Sequence, residues 1–122
     1  FVSDKIYLSG GDGEILNYLK NGSNGTISTI GNIIPGTVKE LYDTYNNNYV
    51  NEASVFQDKI KKIRKISKNY SNVSGIKAIL ECLGITKRYM RSPLTPVSLD
   101  DVNFLKKEIN KKEIKEIIDS NI

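Results

Sequence analysis

Lys5-Ile6-Tyr7-Leu8, closed by Ser9-Gly10-Gly11-Asp12-Gly13, and Thr26-Ile27-Ser28-Thr29-Ile30 further along are the stretches that decide the fold. The first is a short apolar run ended by a glycine cluster, the composition of a strand entering a turn. The second is β-branched at Thr26, Ile27, Thr29 and Ile30, which predicts a second strand. Between them Ile15, Leu16 and Leu19 make the apolar stripe of a helix. Asp12 stands where a side chain can accept from that helix's first free N–H groups, and Gly22 where a left-handed residue can end it. Strand, helix and strand in this order give two parallel neighbours joined by a right-handed crossover. A lone parallel pair leaves both edges unpaired, so the two strands demand a larger sheet that these residues do not encode.

From Pro35 onward the patterning is helical. Pro35 suits a first turn, with Val38, Leu41, Tyr42 and Tyr45 along one side, and Asn46-Asn47-Asn48 interrupts the run. Ala53, Phe56, Ile60, Ile63 and Tyr70 recur as one buried face of a long helix. Ile76, Ile79, Leu80 and Leu83 mark another, stopped by Gly84, and Pro93 and Pro96 impose an extended connection. Ser98-Leu99-Asp100-Asp101 has the form of a capping box that opens a helix through Leu105 and Ile109. Glu108, Lys112 and Glu116 are spaced to pair along its final turns.

The bulk numbers bound what such a chain can be. Its 122 residues suffice for one domain, and 39% hydrophobic with 26% charged residues is ordinary for a globular protein. No apolar run is long enough to span a membrane, so no membrane partner is expected. Cys82 is the sole cysteine and there is no histidine, which excludes an internal disulfide and a credible zinc site. A reducing, cytoplasmic setting is expected. The net charge of +4 is unevenly spread: ten Lys/Arg fall in residues 59–91 against the single acid Glu81. The chain opens on Phe1 and not on Met, and the reading expects a processed or truncated product.

Several stretches, in order and spacing, resemble the dihydrodipicolinate synthase family of pyruvate-dependent class I aldolases, over about the last 40% of its one-domain barrel. Leu8-Ser9-Gly10-Gly11-Asp12 resembles the Ser-Gly-Asp-Asp turn after the seventh barrel strand. Gly25-Thr26-Ile27-Ser28-Thr29 with Asn32-Ile33 resembles the eighth strand, Gly-Val-Ile-Ser-Val-x-x-Asn. Lys77-Ala78-Ile79-Leu80 with Leu83-Gly84 resembles the Lys-Ala-x-x-x-x-Leu-Gly helix. Arg91-Ser92-Pro93-Leu94-Thr95-Pro96 resembles Arg-x-Pro-Leu-Thr-Pro, the most specific of the four. Two departures stand out. Asn72-Val73-Ser74-Gly75-Ile76-Lys77 lacks the prolines of the family's Asn-Pro-x-Pro-Val-Lys, and Gly13 stands where sialic acid lyases of the superfamily carry glutamate.

The resemblance implies an α/β fold: the last two strands of a (β/α)8 TIM barrel in residues 1–46, then a C-terminal helical extension in residues 47–122. It also implies a homotetramer and a reaction in which pyruvate, held as a Schiff base on a barrel lysine, adds to an aldehyde with no cofactor. That lysine, the proton-relay tyrosine and the Gly-Thr-Thr-Gly turn are not found here, so no catalytic residue is assigned. By the match, Gly10 and Ile27 approach the pyruvate-derived group through their backbones, while Asp12 and Thr29 are candidate contacts for the second substrate. The activity that fits best is condensation with aspartate semialdehyde in lysine biosynthesis. Aldolases of 2-keto-3-deoxygluconate and N-acetylneuraminate are the alternatives within the family.

Each candidate has a plainer reading. Gly10-Gly11-Asp12-Gly13 is a strand-to-helix turn or a phosphate cradle. Asp12 is a helix cap, Ile27 is core packing, and the Ser28 and Thr29 hydroxyls serve either substrate or structure. Cys82 reads as a small buried hydrophobe. Lys59, Lys61, Lys62, Arg64, Lys65 and Lys68 form a solvated helix face, and no nucleic-acid partner is expected because no aromatic residues interleave for stacking. A non-catalytic basic helical module is the competing reading, but it has no use for unpaired strands.

Overall fold

A computed structural model describes residues 4–122. Phe1, on which the expectation of a processed product rests, lies outside them. The order is β1 (Leu8–Ser9), α1 (Ile15–Lys20), β2 (Gly25–Thr26), α2 (Pro35–Asn46), α3 (Val50–Ser67), α4 (Asn72–Cys82), α5 (Leu99–Ile109) and α6 (Lys112–Asp119). β1 and β2 pair in parallel, Leu8 opposite Gly25 and Ser9 opposite Thr26.

The strands are shorter than the sequence predicts. Lys5–Tyr7 stay outside the first, and the β-branched run leaves the second after Thr26, turning at Ile30–Asn32 into a single 3-10 turn. The reason is competition for backbone groups. With no third strand beside them among the described residues, the N–H groups of Thr29 and Ile30 find the Asp12 carboxylate instead, at 3.1 and 3.2 Å. Leu8 on β1 and Ile6 just before it are left exposed.

The helices follow the apolar periodicity closely. α3 is the central element, contacting α1, α2, α4 and α6. Ile15, Leu19, Ile34, Leu41, Ile60, Ile63, Ile79 and Leu105 belong to one continuous core. Gly22 and Gly84, with φ of 95° and 74°, end α1 and α4 in the left-handed conformation that glycine adopts most readily. Asn48 does the same between α2 and α3, with φ of 66°.

Three contacts lock the helices together. Gly75 lets α4 cross the end of α3 so closely that a β-carbon there would lie 2.4 Å from the Ser67 carbonyl oxygen. Asn121 accepts from the Thr37 N–H at 2.8 Å and donates to its hydroxyl at 2.9 Å, closing the first turn of α2 from the far end of the chain. Arg88 donates to the Val97 carbonyl at 3.0 Å and to the Glu81 carboxylate at 2.5 Å, tying the proline-rich connection to α4. That bond holds the Glu81 carboxyl below its ordinary value.

The C-terminal helix is two helices. The Ser98 hydroxyl caps α5, accepting from the Asp101 N–H at 3.2 Å while donating to its carboxylate at 2.8 Å. The chain then breaks at Asn110–Lys111, and Glu108 pairs with Lys111, not with Lys112 as the spacing suggests. Cys82 is half-buried, and burial pushes its thiol up. Among the described residues no helix is long and apolar enough to cross a membrane.

Candidate active site

The C-terminal ends of the two strands carry every candidate residue the sequence singled out. Beyond the paired Ser9 and Thr26, the Ile27 N–H donates to the Ser9 carbonyl at 2.8 Å, so Ile27 and Gly10 each stand one residue past the sheet on neighbouring chains. Ile27 is 68% exposed, which corrects the plain reading of it as core. Gly10 is exposed too, and a β-carbon on it would meet nothing within 4 Å. Two stretches of main chain with a clear space in front of them can approach a small ligand closely.

Asp12 is placed differently from the helix cap that the sequence suggests. Its side chain makes no capping bond to the 3-10 turn over Asp12–Glu14 or to α1. It reaches back across the crossover to the second strand's turn. One oxygen accepts from the Thr29 N–H, the Thr29 hydroxyl (2.7 Å) and the Ile30 N–H, and the other accepts from the Ser28 hydroxyl. Ser28 in turn accepts from the Gly31 N–H at 2.9 Å. With 6% exposure and four donors, Asp12 is fully occupied in fixing the turn after β2 against the turn after β1. Ser28 and Thr29 spend their hydroxyl protons in the same network.

Gln57 completes this arrangement and was not singled out from the sequence. Buried on α3, it accepts from the Leu16 N–H at 3.0 Å and donates to the Asp12 carbonyl at 2.9 Å. It therefore satisfies a free N–H at the start of α1, where no cap residue does so. A signal existed: Gln57 falls between Ala53 and Ile60 on the stripe that must be buried, and a polar residue there needs partners.

Beside Gly10 a cavity of about 260 Å³ opens, walled by Gly10, Gly11, Asp12, Thr29, Arg64, Lys68 and Asn72, so it brings three of the four candidate residues together. A larger groove of about 650 Å³ shares Gly11, Arg64 and Lys68 and adds Gly13, Glu14, Tyr18, Lys61, Lys65 and Asn69. The basic run is thus divided. Lys62 faces Glu113 of α6, while Arg64 and Lys68 face the glycine turn. The run is solvated as the sequence expects, with Lys61, Lys62, Arg64, Lys65 and Lys68 all exposed; what the periodicity does not show is that α3 docks under the strand ends, so that part of this face borders the glycine turn. Among the described residues no group of His, Cys, Asp or Glu could hold a metal ion.

The sequence and the fold are similar to those of known proteins. Residues 2–112 match the model of the dihydrodipicolinate synthetase family. A 4-hydroxy-tetrahydrodipicolinate synthase of Karelsulcia muelleri is 35% identical over 91 residues, 75% of this chain and 31% of that protein. The dihydrodipicolinate synthase of Thermotoga maritima superposes with a TM-score of 0.82 at 27% identity, covering 95% of this chain and 38% of that one. A prophage protein of Escherichia coli K12 from the same family, solved in complex with pyruvate, shares the fold with a TM-score of 0.75 at 20% identity over 92% of this chain and 37% of that one. The chain spans about a third of the length of the curated relatives it matches. With a family model covering nearly all its residues and the fold shared over most of its length, the chain belongs to the dihydrodipicolinate synthetase family.

Proposed function

We propose that this chain forms the last two β/α units (residues 1–46) and the helical extension (residues 47–122) of a TIM-barrel aldolase. The complete enzyme condenses pyruvate with an aldehyde and is a 4-hydroxy-tetrahydrodipicolinate synthase acting on aspartate semialdehyde. The observation that carries this reading is the pair of exposed backbones, Gly10 and Ile27, at the C-terminal ends of parallel strands, where barrel enzymes bind their substrates. The exposed Ile6 and Leu8 support it, since neighbouring barrel strands would cover them.

The chemistry needs an amine on a barrel strand, and neither β1 nor β2 carries a lysine. A lysine on another barrel strand attacks the ketone of pyruvate and releases water. The resulting iminium withdraws electrons, so C3 loses a proton and the enamine attacks the aldehyde carbon. Gly10 and Ile27 shape the pyruvate subsite through main chain. The Asp12 carboxylate is taken by four donors and, with Gln57, holds the two turns in register, while the Thr29 hydroxyl, which donates to Asp12, keeps its acceptor lone pairs for the aldehyde partner. Gly13, in place of a glutamate, removes a partner for a polyol chain and supports a short aldehyde.

Borohydride reduction in the presence of pyruvate tests the reading. The polypeptide carrying the complete barrel should gain one saturable pyruvyl adduct on a lysine outside this stretch, and residues 1–122 alone should gain none. Gly10→Val should weaken adduct formation with little change in melting temperature, because its side chain meets no protein atom. An adduct on a lysine of these residues would refute the proposal.

A further inference from the structure

The outer groove between α1 and α3 gathers cations that the fold leaves unneutralised. Lys61, Arg64, Lys65 and Lys68 follow one another along one face of α3 and its C-terminal cap, and all four line this groove. Like charges three and four residues apart repel and weaken a helix. Elsewhere on α3 the cations are relieved: Lys62 is paired with Glu113, and Lys59 lies 5.2 Å from the centre of the Phe56 ring. In the groove Glu14 is the single carboxylate among the described residues, and it draws only Lys61, at 3.8 Å. Arg64, Lys65 and Lys68 have no ion pair and donate no side-chain hydrogen bond among the described residues. The carbonyl end of α3 favours cations, which explains their place on the helix but not their convergence on a concave space. That space holds about 650 Å³, and Gly11, Gly13 and the exposed Tyr18 form the wall opposite the cations. Gly13 leaves the Arg64 guanidinium uncovered, since a β-carbon there would lie 3.5 Å from it.

We propose that this groove binds a polyphosphate chain, free or as the tail of a nucleotide. Unpaired cations spread over about one helical turn match charge carried on successive phosphorus centres, whereas a lone carboxylate would meet only part of them. The guanidinium offers paired N–H donors to two phosphate oxygens, and the ammonium groups of Lys65 and Lys68 add charge beside it. Lys61 joins by leaving its long contact with Glu14, and the Asn69 amide adds a neutral donor. Concavity favours a small ligand over a nucleic-acid strand, which would need aromatic side chains interleaved for stacking. The site makes no use of the pyruvate subsite, so the proposal stands apart from the aldolase reading.

Isothermal titration calorimetry on the polypeptide carrying the complete barrel, with pyruvate present, tests this with tripolyphosphate, ATP and orthophosphate. Tripolyphosphate should bind about tenfold or more tightly than orthophosphate, and should weaken as salt is raised. ATP equal to tripolyphosphate identifies the free chain as the ligand, and tighter ATP identifies a nucleotide whose base meets the Tyr18 ring. Lys61→Gln with Lys65→Gln removes two groove cations that do not line the mouth cavity. It should weaken tripolyphosphate by about tenfold or more and leave borohydride trapping of pyruvate unchanged. Lys59→Gln with Lys62→Gln removes the same charge from outside the groove and should leave binding within about twofold. Equal losses in the two double variants would reduce the effect to net charge and overturn the proposal. So would equal binding of orthophosphate and tripolyphosphate, no binding at all, or a single-stranded RNA that binds more tightly than tripolyphosphate. Failure to trap pyruvate while the groove still binds would overturn the aldolase reading alone.

Discussion

Replacing Asp12 by alanine should damage the fold far more than its position in a surface turn suggests. The substitution removes the acceptor of two backbone N–H groups, those of Thr29 and Ile30, and of two hydroxyls. Ile30 is 1% exposed, so water cannot take the carboxylate's place there. Each buried donor left without a partner costs about 1–3 kcal/mol, and the hydroxyls can rotate toward other acceptors. The loss for Asp12→Ala should therefore be about 3–4 kcal/mol. Asp12→Asn separates hydrogen bonding from charge. Its carbonyl oxygen can keep the three donors of Thr29 and Ile30, and its amide can donate to Ser28, whose hydroxyl turns to accept. That variant should lose about 1 kcal/mol. Urea denaturation followed by circular dichroism measures both. Equal losses in the two variants, or a loss below about 1 kcal/mol for alanine, would refute the account of Asp12 as the tie between the two turns. It would also reopen a role for Asp12 at the substrate.

Three further outcomes follow from the packing. Gly75→Ala should destabilise by about 2 kcal/mol despite alanine's higher helix propensity, because its β-carbon meets the Ser67 carbonyl; a raised melting temperature would contradict the close crossing of α4 and α3. Gln57→Leu should lose about 2 kcal/mol in urea denaturation by orphaning the Leu16 N–H and the Asp12 carbonyl, and a neutral effect would mean that α1 finds another cap. Because Arg88 lowers the Glu81 carboxyl, the unfolded chain takes up that proton first as pH falls. The stability the pair contributes is then complete above the ordinary carboxyl value near 4.5 and disappears as pH falls through the lower folded value. Denaturation midpoints of Glu81→Gln should accordingly vary less with pH than the parent's below about 4.5, and parallel curves would exclude the pair from acid stability.

The sequence by itself determined the helices and their stops. Apolar residues three and four apart can be buried only on one helical face, and Gly22 and Gly84 relieve a left-handed strain that most other residues would carry. It also determined the parallel crossover and the place of Gly10 and Ile27 at its open end, since strand, helix and strand admit one connection. Tertiary structure alone decided the rest. The strand run from Ile27 to Ile30 had β propensity, yet the N–H groups of Thr29 and Ile30 were claimed by a carboxylate seventeen and eighteen residues away. The break between α5 and α6 and the Asn121 clamp on Thr37 likewise depend on partners far along the chain. So does the turning of Arg64 and Lys68 toward the mouth: a helix pattern says which face is polar, and only the docking of α3 beneath the strand ends says what that face looks upon.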